Sequence, residues 1–183
     1  TDNFGCSKSD TFTLVDPPAI NAFFNSVEPS CYGDSTGSLT VSASGGWGDF
    51  DYYWQNPINK IGSNDSVLNN ILPGNYLVKV TDDGGCSKNF PTSLDGPEII
   101  SISSVITNNS CNYQIDANIA IAVTGGTPSY SYQWLKDGVD YATTEDVDSL
   151  AADSYELIVT DSLSCVQSSG ILEISTPDPL SLN

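Results

Sequence analysis

Five cysteines, at positions 6, 31, 86, 111 and 165, are the residues of this 183-residue chain best equipped for chemistry. Thiols can hold a metal, attack a substrate or pair with one another. Histidine is absent and no Cys-x-x-Cys occurs, which argues against a zinc centre. Serines are plentiful, but no histidine exists to activate one. Disulfides are the remaining use. A second candidate chemistry is oxygen ligation. Asp82 and Asp83 sit in one turn-like segment, with Asp49 and Asp51 in another, and carboxylates at such positions can hold Ca²⁺. No EF-hand or nonapeptide calcium motif accompanies them, and solvated surface charge is the simpler reading. Carboxylate pairs could also hydrolyse glycosides. A small repeated sandwich offers no deep cleft for that, so no enzyme is expected. Lys79 on a strand raises an isopeptide crosslink, but its counterpart in the repeat described below is Ile158. Trp47 follows Gly45-Gly46 in a loop, where an aromatic side chain stays exposed and can contact a ligand.

The charge balance narrows the partners. All five basic residues are Lys, against 23 acids, for a net charge of −18. Nucleic acid is excluded as a partner, because binding it needs cations to displace phosphate counterions. Anionic membrane surfaces are disfavoured for the same reason. No apolar run approaches the ~20 residues of a membrane helix, so direct membrane insertion is not expected. Yet 39% of residues are apolar and 10% aromatic, too many for a disordered acidic tail.

The elements that position these residues repeat along the chain. Thr81-Asp82-Asp83-Gly84-Gly85-Cys86-Ser87-Lys88 answers Thr1-Asp2-Asn3-Phe4-Gly5-Cys6-Ser7-Lys8 at an offset of 80. Cys31 matches Cys111, Gly45-Gly46 matches Gly125-Gly126, and Trp54 matches Trp134, all at 80. Tyr76 matches Tyr155, and Val80-Thr81-Asp82 matches Val159-Thr160-Asp161, at 79. The sequence therefore reads as a window on a tandem array. The expected division is a stub of a preceding repeat at 1–17, repeats at 18–97 and 98–177, and the next linker at 178–183. Thr1 opens directly into polar sequence, with no signal peptide expected.

Each repeat reads as strands. Ser38 to Ala43 and Asn118 to Val123 alternate apolar with small or polar residues, the period of a half-buried strand. Tyr52 to Trp54, Tyr130 to Trp134, Val67 to Leu72, Tyr76 to Thr81 and Tyr155 to Thr160 follow, separated by Gly-Gly and Pro-Gly turns. Asp82-Asp83-Gly84-Gly85 signals a hairpin into a last strand. No window has helical period. Six or seven short strands in about 80 residues predict an all-β fold, tandem immunoglobulin-like antiparallel sandwiches. Trp54 and Trp134 fall mid-strand at equivalent positions, where such sandwiches bury a core tryptophan. Tyr76 and Tyr155 start a strand just after a turn, the tyrosine-corner position. These four are expected to be structural. Short linkers containing Pro97 and Pro177 are expected to be fairly stiff.

These motifs resemble the SprB-type repeat of large surface adhesins in gliding Bacteroidota. The resemblance rests on Cys31-Tyr32-Gly33, Gly37 to Val41, Gly45-Gly46, Tyr52 to Trp54, Gly74 to Tyr76 and Asp82 to Cys86 in the first repeat. In the second it rests on Gly125 to Trp134 and Tyr155 to Cys165. Asn112-Tyr113, Asp153 and Ser164 depart from the pattern at turns. The glycine-rich run also resembles immunoglobulin-like PKD modules. The resemblance implies a secreted cell-surface protein, exported through the type IX system, whose tandem modules form a stalk in gliding or attachment. Neighbouring repeats are then the first partners, with surface polysaccharide or a substratum beyond them. A carbohydrate-binding module pair of a secreted polysaccharide-degrading protein is the alternative. The resemblance further implies O-glycosylation where Asp precedes Ser or Thr, with Ser35, Ser66, Ser149 and Ser162 as the candidates.

Two disulfide frames fit the cysteines. Pairing within repeats gives Cys31–Cys86 and Cys111–Cys165. Pairing across the repeat boundary gives Cys6–Cys31 and Cys86–Cys111. Closing a 55-residue loop adds about 4 kcal/mol by chain entropy, which is substantial for so small a core. In a seven-strand sandwich the first loop and the last hairpin lie at opposite ends. With six strands they coincide, and only 18 residues separate Asn56 from Asn75. The within-repeat frame is favoured on that count.

Overall fold

A computed structural model describes residues 3–56, 61 and 64–180. Thr1-Asp2 of the first motif and residues 181–183 of the expected last linker lie outside the described residues. Thirteen strands and no helix are present among the described residues. The first repeat contributes β1 (Asn21–Val27), β2 (Gly37–Ser44), β3 (Phe50–Gln55), β4 (Val67–Ile71), β5 (Gly74–Asp82) and β6 (Ser87–Leu94). They form two three-stranded sheets, β1-β2-β4 and β3-β5-β6. The second repeat contributes β7 (Ser101–Thr107), β8 (Ala117–Thr124), β9 (Ser131–Lys136), β10 (Val139–Ala142), β11 (Val147–Leu150), β12 (Ser154–Thr160) and β13 (Val166–Glu173). Its sheets are β11-β8-β7 and β10-β9-β12-β13. This is the all-β, immunoglobulin-like tandem architecture that the strand pattern predicts.

Alternation decides which side chains enter each core. Along β8 Ala117, Ile119 and Ile121 point inward, and along β12 Tyr155, Leu157 and Val159 do. These side chains cluster with Trp134, Val147 and Leu150 in one core. The equivalent positions of the first repeat, Leu39 and Val41 on β2 and Tyr76, Val78 and Val80 on β5, are likewise buried. Trp54 and Trp134 are both 0% exposed. Each indole Nε1 donates to a backbone carbonyl, of Asp65 and Thr144 respectively, at 2.9 Å, so neither indole N–H is stranded in the apolar layer.

Strand direction sets where the loops fall. In the second repeat, β7 pairs antiparallel with β8 from Ser101↔Thr124 to Thr107↔Asn118. The Cys111 loop therefore closes the far end of β7. Asn109 N–H donates to Ser175 O, and Asn112 Nδ2 to Pro177 O, so the exit linker lies at that same pole. The β12–β13 hairpin turns after Thr160↔Val166. Gly126 N–H donates to Glu98 O and Thr127 N–H to Asp161 Oδ2, which puts the entry linker, the Gly-Gly loop and the hairpin together at the other pole. The added strand β10 explains why. It pairs antiparallel with β9 and carries the chain back before β11 begins. Its turn, Asp137-Gly138, has φ of 50° and 77°, the two positive values of a tight hairpin. That dipeptide was the available signal for the strand.

The chain packs as two compact units. One spans Thr1–Asn25, Thr40–Leu68 and Asn75–Thr92, and the other spans Ser26–Leu39, Asn69–Gly74 and Ser93–Asn183.

Candidate functional site

The hairpin pole of the second repeat gathers the residues with chemical potential. Asp161, at the end of β12, is 6% exposed. Its Oδ1 accepts the N–H groups of Leu163 and Cys165 at 2.9 Å each, and its Oδ2 accepts Thr127 N–H at 2.8 Å. One carboxylate thus ties the hairpin to the Gly-Gly loop. Desolvation pushes its carboxyl up, but the three N–H bonds outweigh it and hold it below the usual 3.8. Gly125-Gly126 makes room for the arrangement. At Gly126, with φ of 60°, a Cβ would stand 2.6 Å from Ile100 Cγ1 and 2.9 Å from Asp161 Oδ2. The first repeat builds the same brace. Asp82 is 5% exposed, and it accepts Trp47 N–H through Oδ2 at 3.0 Å and Cys86 N–H through Oδ1 at 2.8 Å.

This placement revises the reading of the turn aspartates. Asp82 is a buried backbone acceptor rather than solvated surface charge. Asp83 is exposed, and its Oδ2 accepts Asp49 N–H at 2.9 Å. Among the described residues no group of three or more His, Cys, Asp or Glu side chains is arranged to hold a metal. The repetition of Asp82 as Asp161, while Asp83 becomes Ser162, was the signal for the brace. Replacing Asp161 with Ala leaves three N–H donors without their acceptor. It is expected to cost about 3 kcal/mol in urea unfolding, with Asp161→Asn costing less because one oxygen acceptor remains. The sign with pH follows from the depressed pKa. The folded state holds this proton more weakly than the unfolded chain, so the contribution is present above about pH 4 and is lost as pH falls through the folded value. An acid titration of wild type and Asp161→Asn should show the two stabilities converging below that range.

The remaining candidates fall at different places. Trp47 is 67% exposed on the Gly-Gly loop of the first repeat. Tyr155 is 1% exposed, and its hydroxyl donates to Ala151 O at 3.2 Å, four residues upstream. Burial pushes that hydroxyl above its usual 10.0. Tyr76 occupies the same position in the first repeat at 7% exposure. Ser35, Ser149 and Ser162 are exposed and Ser66 is half-buried. The Ser162 Oγ donates to Thr127 O and Pro128 O at 3.0 and 3.3 Å, a further tie between hairpin and loop.

The disulfide matches neither expected frame. Cys31 pairs with Cys165, with Cα atoms 5.4 Å apart and a sequence separation of 134. Cys165 is buried at 8%, while Cys86 and Cys111 are exposed with free thiols. Both half-cystines lie in the second compact unit. The expected Cys111–Cys165 pair fails because the second repeat's loop cysteine and hairpin cysteine occupy opposite poles, and the expected Cys31–Cys86 pair fails because Cys31 is bonded to Cys165 instead. The seven residues of β12 alone span about 23 Å, whereas a disulfide needs Cα atoms within about 7 Å. In the second repeat, the six-strand count that made the ends coincide omitted the return carried by β10. The other frame, Cys6–Cys31 and Cys86–Cys111, joins a hairpin cysteine to the loop cysteine of the following repeat. The structure does the reverse, joining a loop cysteine to the hairpin cysteine of the following repeat.

The SprB repeat family matches residues 24–59 and 103–139, one segment in each repeat. Each matched segment falls at the same place in its repeat, and the likeness to the SprB repeat is confined to those two segments. No curated protein matches it. Solved structures similar to this chain include an I-band fragment, I67–I69, of titin, at 13% identity and TM-score 0.43 over 89% of this chain and 66% of that one. The ectodomain of mouse nectin-like molecule 4 is similar at 13% identity and TM-score 0.45, over 91% and 67%. The four N-terminal immunoglobulin domains of Dscam1 isoform 9.44 are similar at 15% identity and TM-score 0.40, over 90% and 47%. The chain spans about two thirds of the first two and about half of the third. The two SprB-repeat matches and the tandem immunoglobulin-like sandwiches support a structural, adhesin-type repeat segment.

Proposed function

We infer that this chain is a stalk segment of a large secreted adhesin, displayed on the outer cell surface and serving gliding or attachment. The observation that carries the reading is the tandem recurrence of one SprB-type sandwich, braced alike in both copies by Asp82 and Asp161. A repeat of this kind builds length rather than a catalytic cleft. The disulfide fits an oxidising, extracytoplasmic setting. A net charge of −18 keeps such an array soluble and self-repelling. An antibody raised against the chain should label intact, unpermeabilised cells of the producing organism, and protease added outside should remove the signal. Labelling only after permeabilisation overturns the surface assignment. Trp47, 67% exposed, supports the second reading, a carbohydrate-binding pair. Specific binding on a glycan array that Trp47→Ala abolishes would favour it over the stalk.

A further inference from the structure

We propose that Cys31–Cys165 is one rung of a repeating covalent ladder, in which each loop cysteine closes on the hairpin cysteine of the following repeat. On this rule Cys111 pairs with the hairpin cysteine of the repeat after the second one. Cys86 pairs with the loop cysteine of the repeat before the first. The proposal rests on the reading of this chain as part of a longer array.

The same surface occurs twice, once covered and once bare. In the covered case Cys31 and Tyr32 of the loop and Pro97 and Glu98 of the linker line a hollow against the hairpin, which contributes Ser164 and Cys165. Eighty residues on, Cys111 and Asn112 of the loop and Pro177 and Asp178 of the linker line an equivalent hollow. Among the described residues no hairpin lines it, and Cys111 is an exposed thiol. The hollow at Cys111 also carries Tyr113 and Leu180, 94% and 99% exposed. Large apolar side chains this open at a free cysteine suit a surface that another element covers. The covered copy names the occupant, a hairpin of the Asp-braced kind. In the first repeat, Cys86 offers such a hairpin with its thiol exposed.

Each rung forms when the two thiols lose two protons and two electrons to a disulfide oxidant. That oxidant is a thiol-disulfide oxidoreductase during export or oxidised glutathione in vitro, and it is reduced to its dithiol or thiols. The rungs overlap. Each closes a ring with a sequence separation near 134, while only 25 residues run from a hairpin cysteine to the next loop cysteine, as from Cys86 to Cys111. Tension along the array would cross mainly these short stretches and the rungs.

A head-to-tail tandem tests the rule. The chain through Pro177 is joined to a second copy beginning at Pro18, which preserves the spacing of Pro97 from its repeat. Cys86→Ser is placed in the first copy only and Cys111→Ser in the second only. The protein is refolded with oxidised glutathione, alkylated and mapped without reduction. The expected result is a peptide joining first-copy Cys111 to second-copy Cys86, with Cys31–Cys165 present in both copies as the measure of correct folding. Full alkylation of first-copy Cys111 in molecules that contain Cys31–Cys165 overturns the ladder. So does a Cys86–Cys111 peptide from the monomeric, unjoined chain, or failure of Cys31–Cys165 itself to form. Stalk function is read separately by surface labelling, so the two can fail independently.

Discussion

Reducing the Cys31–Cys165 bond lowers the stability of this chain in urea by about 5 kcal/mol, and Cys31→Ser and Cys165→Ser do the same. The magnitude comes from chain entropy. A crosslink between residues 134 apart removes more freedom from the unfolded chain than one closing the 55-residue loop of the within-repeat frame. Cys86→Ser and Cys111→Ser remove exposed thiols that hold no bond in this chain, and each should shift stability by less than about 0.5 kcal/mol. Urea unfolding of the four variants, with and without reductant, checks this. A loss on Cys86→Ser equal to that on Cys31→Ser would restore the within-repeat pairing and remove the basis of the ladder.

Trp134→Ala removes about 4 kcal/mol from the second repeat. The side chain is 0% exposed and packs among Ile119, Leu150, Leu157 and Val159, so truncation opens a cavity that the two facing sheets cannot collapse to fill. The Thr144 carbonyl also loses the indole N–H it accepts at 2.9 Å. A sandwich of this size has 5–15 kcal/mol of stability in all, so the variant repeat stands near its unfolding margin, with Tm lower by roughly 20 °C. Trp134→Phe keeps most of the volume and should lose less than half as much. Calorimetry on both variants measures the difference. A drop under about 1 kcal/mol for Trp134→Ala would show that this position does not anchor the core.

Much of the fold was legible because its signals are local. Alternation along Asn118 to Val123 and Tyr155 to Thr160 defines strands whatever they pair with, and the Gly-Gly and Pro-Gly dipeptides mark the turns between them. Recurrence of Trp54 as Trp134 marks one structural position used twice. Where local signals were overlooked, the consequences were not local. Asp137-Gly138 makes β10, and β10 reverses the chain, so its omission put the first loop and last hairpin of the second repeat at one end.

By itself the sequence determined the strand pattern, the repeat and the class of sandwich, because side-chain period and turn chemistry act over a few residues. Tertiary structure alone decided the partner of Cys31 and the role of Asp82 and Asp161. A disulfide depends on which pole each cysteine reaches, which is the summed direction of every strand between them, and here on a cysteine 134 residues away. An aspartate in a turn looks the same in sequence whether it faces water or accepts three backbone N–H groups. Only the approach of the Gly-Gly loop, 34 residues distant from Asp161 at Thr127, makes it a brace.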